Sequence, residues 1–75
     1  MHTTDFVVHI DETLNQPALE SIEDDIRHGR GVISAGHHPG KPHLVQVVYD
    51  TEATRMAEIV QEVRQHGLHA QAVGL

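Results

Sequence analysis

Residues 32–50 read VISAGHHPGKPHLVQVVYD, two apolar runs on either side of GHHPGKPH. The later run, residues 43–50, is rich in β-branched residues and predicts a strong strand; the earlier one, residues 32–37, predicts a shorter strand. Between them Pro39, Gly40 and Pro42 cannot sustain regular structure and mark a turn. Two strands joined by a turn form a hairpin. A hairpin in the middle of a 75-residue chain constrains every element around it.

Upstream, residues 5–10 (DFVVHI) alternate Phe6, Val8 and Ile10 with Asp5, Val7 and His9, which predicts a strand with one strongly apolar face. Residues 17–28 place Leu19, Ile22 and Ile26 at spacings of three and four, with Glu20, Glu23, Asp24 and Asp25 expected on the solvated side. This is an amphipathic helix with Asn15 as N-cap, Pro17 in its first turn and a glycine stop in the HGRG stretch from His28 to Gly31. Downstream, Met56, Ile59, Val60 and Val63 predict a second helix over residues 51–66, with Gly67 at its C′ position. Residues 68–73 (LHAQAV) alternate again as a last strand. The order β-α-β-β-α-β predicts an α+β, ferredoxin-like domain over residues 1–75. Its four-stranded antiparallel sheet has the order 4-1-3-2, with both helices on one face.

Composition bounds the chemistry. Only Phe6 and Tyr49 are aromatic, so the core is aliphatic, and Tyr49 is expected at its rim with a wet hydroxyl. There is no cysteine, so disulfides, thiolate catalysis and thiolate metal sites are excluded, and any metal must use nitrogen and oxygen ligands. A formal charge of −6 repels phosphate backbones and anionic lipid, so neither nucleic acid nor membrane is an expected partner. The first residues lack a basic and then apolar leader pattern, and the expected location is cytoplasmic. With Ser21 and Ser34 the only serines, no nucleophile stands beside a base and an orienting acid, and an enzyme is not expected.

Several short matches, taken in order, resemble the heavy-metal-associated domain, the module of copper chaperones and of the N-terminal regions of metal-pumping ATPases. They are Ile22-Glu23 in the first helix, Gly31-Val32 at the second strand, Val47-Val48-Tyr49-Asp50 closing the third, and Gly67-Leu68-His69-Ala70 leading into the fourth. The resemblance covers nearly the whole chain and implies the ferredoxin-like fold. It also implies a metal loop ahead of the first helix, where metal-carrying members place Cys-x-x-Cys. In that window this chain has Asn15-Gln16-Pro17-Ala18, so Cu(I) transfer by thiolate exchange does not carry over.

The topology sends His9, His37, His38, His43, His66 and His69 to the end of the sheet where the family keeps its metal loop, and His2 and His28 to the other end. A four-stranded edge is roughly 15 Å wide, so the sets must be local. The expected pairs are His37 or His38 with His43 across the hairpin, and His9 with His69 across the first and fourth strands on the open face. Asp11 or Glu12 could supply a carboxylate. Imidazole ligands suit Zn(II), Cu(II), Ni(II) or Co(II). The expected function is a small non-enzymatic module that binds such an ion through His37, His38, His43, His9 and His69. The alternative is a metal-independent, pH-responsive interaction or dimerisation module. It would use the open sheet face of Val7, His9, Gln46, Val48, His69, Gln71 and Val73.

Overall fold

The computed structural model describes residues 2–73. The alternation at Phe6, Val8 and Ile10 runs through β1 (Thr3–Ile10), and all three residues are buried. Helix α1 (Gln16–Arg27) starts where a capping residue was expected: Asn15 Oδ1 accepts from the Ala18 N–H at 2.9 Å, satisfying one of the unpaired amides of the first turn. Strands β2 (Val32–His38) and β3 (Lys41–Asp50) are longer than expected, leaving only Pro39 and Gly40 as the loop. Gly40 has φ 77, the left-handed conformation that follows proline in a tight turn.

Helix α2 (Met56–Arg64) is shorter than its apolar pattern suggested. Residues 51–54 are held in a turn by Asp50, whose carbonyl accepts from Ala53 N and Thr54 N and whose Oδ1 accepts from Glu52 N at 3.0 Å. Strand β4 (Ala70–Val73) begins two residues later than expected.

The sheet order is β2-β3-β1-β4, the expected order read from the opposite edge, and every pairing is antiparallel. Leu19, Ile22 and Ile26 of α1 and Ile59, Val60 and Val63 of α2 pack on Phe6, Val8, Ile10, Val45 and Val47 to form one core. One expectation about the core is sharpened and one is corrected. Tyr49 is buried, its ring edge-on to Phe6 with centroids 5.6 Å apart. Glu23 does not lie on the solvated side of α1: it is the one buried charged residue among those described. Its position four after Leu19 and three before Ile26 sets it within the apolar stripe.

One irregularity positions the candidate site. His37 pairs with Val45, but His38 pairs with Lys41, so Pro42, His43 and Leu44 have no partner on β2. Pro42 has no N–H to give the ladder, and the strand leaves β2 there.

Candidate functional site

The end of β1 meets the start of β4 through the Ile10 and Ala70 pair, and the Asp11 N–H donates to the His69 carbonyl at 2.9 Å. The freed part of β3 arrives at the same place. His43, without a β2 neighbour, donates its Nδ1–H to the Ile10 carbonyl at 2.7 Å and is half-buried. Because a carbonyl can only accept, this bond fixes the tautomer: in the neutral ring the lone pair sits on Nε2. The His9 ring lies nearly parallel to that of His43, with centroids 6.0 Å apart and planes 17° apart. His9 Nδ1 is 3.0 Å from Asp11 Oδ1, so it too donates through Nδ1 and leaves Nε2 as the lone-pair nitrogen. Two imidazoles thus stand side by side, each oriented through its inner nitrogen by an acceptor. That is how metal-ligating histidines are commonly held.

The other expected ligands are engaged elsewhere. His37 turns to the helix side of the sheet, where its Nδ1 lies 2.7 Å from Oε2 of buried Glu23; it does not meet His43. His38 stays on the open face. Gln46 Nε2 donates to Asp5 Oδ2 at 2.6 Å, which leaves Gln46 Oε1 to accept from His38 Nε2 at 3.1 Å. His69 lies ahead of β4, and His9 faces Gln71 across the ladder, so the expected His9–His69 pair does not form. His66 reaches across to α1, with Nε2 3.1 Å from Asp25 Oδ2, and ties the two helices together. Among the described residues, no three histidine, aspartate or glutamate side chains come close enough together to hold a metal ion. The pairing of His9 with His43 was not anticipated; the signal for it was Pro42, which breaks the ladder one residue before His43.

His69 instead closes the loop onto β4. Its Nδ1 donates to Glu12 Oε2 at 2.7 Å, and its backbone N–H donates to the same carboxylate. The hydrogen bond from the His69 ring, with the backbone bond beside it, holds the Glu12 carboxyl below its ordinary 4.5. The same bond, followed by the attraction of the Glu12 charge, raises His69 above its ordinary 6.5. The raised imidazole contributes stability in full below its unfolded value, and this is lost as pH rises through the folded value. The lowered carboxyl contributes above its unfolded value, and this is lost as pH falls through the folded one. The contribution of the contact to stability is therefore full between the ordinary values of 4.5 and 6.5, and it fades only as pH passes beyond the lowered carboxyl on one side and the raised imidazole on the other. In an NMR titration the His69 ring protons are expected to turn over above the ordinary histidine midpoint, and Glu12→Gln is expected to bring that midpoint down. An unmoved midpoint would show that the contact does not persist in solution.

The described residues include no helix long and apolar enough to cross a membrane. No protein-family model matches the sequence, and no curated protein matches it. Solved structures do match. MerP from Ralstonia metallidurans CH34, in its oxidised form, superposes with a TM-score of 0.85 at 11% identity, covering 97% of this chain and 100% of that one. A copper binding domain from HMA7, a P-type ATPase, gives 0.83 at 18% identity, covering 93% of each chain. The copper chaperone of Enterococcus hirae, in its apo form, gives 0.80 at 18% identity, covering 91% of this chain and 98% of the other. The chain has the fold of heavy-metal-associated domains and contains no cysteine.

Proposed function

We propose that this protein is a small, non-catalytic binding module that takes a divalent transition metal at the loop end of its sheet, through His9 and His43. The observation that carries this reading is the paired imidazoles, each with Nδ1 held by an acceptor and Nε2 left as a lone-pair donor. Two further points support it: the copper-binding proteins of the same fold named above, and the position of these residues around the loop that follows β1. The donor set does not suit thiolate-held Cu(I), since the chain has no cysteine. It does suit Zn(II), Cu(II), Ni(II) or Co(II), with coordination completed by water or by groups from outside the chain. His37, His38 and His69 have partners of their own and support the fold around the site.

The test is calorimetric titration of untagged protein with Zn(II), Cu(II), Ni(II) and Co(II). His43→Asn keeps an N–H close to where Nδ1 donates to the Ile10 carbonyl and removes Nε2, so it deletes a ligand without deleting the anchor. His9→Asn and His43→Asn are each expected to abolish the binding heat, while His38→Ala leaves it unchanged. Identical heats from the wild type and both asparagine variants would overturn the reading. In that case the alternative stands, a metal-independent protein-contact or dimerisation module. It is favoured by the Val7 and Val73 pair, which lies on the uncovered face of the sheet with Val73 38% exposed.

A further inference from the structure

The sheet has two open edges, β2 and β4, and the chain treats them alike. Arg27, in the last turn of α1, donates from Nε to the Ala35 carbonyl of β2 at 2.8 Å. Arg64, in the last turn of α2, donates from Nε to the Ala70 carbonyl of β4, also at 2.8 Å. Each edge strand thus follows a helix that ends in arginine, and each arginine covers an outward-facing backbone acceptor on a buried alanine.

The two edges differ in what else protects them. β2 is irregular twice, between Val32 and Ser34 and again between His37 and His38, and such breaks spoil pairing with another strand. β4 is regular over its described length. The bond between Asp11 and His69 sets the phase of the ladder: with residues 69 and 71 bonded to β1, Ala70 and Ala72 point their N–H and C=O groups away from the sheet. Ala70 C=O is taken by Arg64, and no described residue pairs with the outward groups of Ala72. Beside Ala72 lies an open groove floored by Met56, Ala57 and Val60 and flanked by Arg64.

We propose that the β4 edge is a latent self-pairing surface for a second copy of this chain, and that Arg64 is the guard that keeps it closed. An antiparallel, two-fold-symmetric pairing sets Ala70 of one copy opposite Ala72 of the other. The ladder then needs the Ala72 N–H of each copy to donate to the Ala70 carbonyl of its neighbour. In both copies the Arg64 guanidinium lies against that carbonyl on its outward side, where the neighbouring strand has to come in. Its removal frees two acceptors per dimer, which corresponds to roughly thirtyfold tighter self-association.

Arg64→Met is the informative variant, because it keeps an unbranched stem over the groove and removes only the donor. In sedimentation velocity the wild type is expected to be monomeric, and Arg64→Met to dimerise with a native circular dichroism spectrum. Ala72→Pro in the Arg64→Met background removes the outward N–H and is expected to restore the monomer. Arg27→Met is expected to remain monomeric, since the irregularities of β2 still blunt that edge. A folded Arg64→Met that stays monomeric overturns the proposal, as does dimerisation that survives Ala72→Pro, which would place the contact elsewhere. Loss of folding in Arg64→Met would make Arg64 a requirement of the fold rather than a guard, and would overturn it equally.

Discussion

Gly31→Ala is expected to destabilise the protein by about 2–5 kcal/mol, lowering its melting temperature by about 10–30 °C in a thermal scan. Gly31 sits at φ 80, a conformation that costs an L-residue about 1–2 kcal/mol. A Cβ placed there would also stand 2.7 Å from the Ala53 Cβ and 3.1 Å from Thr54 Cγ2. Overpacking of that kind costs about 1–3 kcal/mol more when the neighbours cannot retreat. Here they are pinned, because Ala53 N and Thr54 N both donate to the Asp50 carbonyl while Asp50 N donates to Gly31 O at 2.7 Å. The α1–β2 connection and the β3–α2 connection therefore lock together across the position of a missing side chain. Gly40→Ala is the control: it has φ 77 but nothing within 4 Å of its added Cβ, so it carries the backbone cost alone. Equal melting temperatures for the two variants would show that the close approach to Ala53 does not matter. For a chain of this size, whose total stability is about 4–11 kcal/mol, the difference decides whether the variant is folded at body temperature.

The elements were legible because their periods are clean. Alternation at Phe6, Val8 and Ile10 and three-four spacing at Leu19, Ile22 and Ile26 each admit one kind of element, and the hairpin between residues 32 and 50 then leaves one compact order for the sheet. The site was legible only in part, for a physical reason. Topology says which end of a strand a histidine occupies, but its partner depends on register, and one step of register changes the face. The break at Pro42 takes His43 from the hairpin to Ile10, and His37 follows the inward phase of Ala35 to Glu23. Glu23 itself was readable: a carboxylate one turn from Leu19 and one turn from Ile26 has to be covered by whatever covers them. A covered carboxylate requires a nearby donor, and His37 provides it.

That pairing gives the second large effect. His37→Ala is expected to cost about 3 kcal/mol, measured by chemical denaturation, because it leaves a buried carboxylate uncompensated. The Glu23 side chain is only 3% exposed, and besides His37 its Oε1 has the Arg27 guanidinium no nearer than 4.0 Å. Part of that guanidinium is committed to the Ala35 carbonyl, so it cannot move in to replace the imidazole without giving up its own bond. The loss should be non-additive: Glu23→Leu in the His37→Ala background removes the charge that became costly, so the double variant is expected to be more stable than His37→Ala alone. Strictly additive losses would mean that the 2.7 Å contact carries no coupling. This bears on how the metal reading is tested. A His37 variant that fails to bind an ion fails because the sheet has loosened beside α1, and its denaturation curve records that loss. A His43→Asn variant that fails to bind while unfolding at the wild-type midpoint has lost a ligand. Stability and binding measured on the same two variants thus separate a histidine that holds the fold from one that faces the ion.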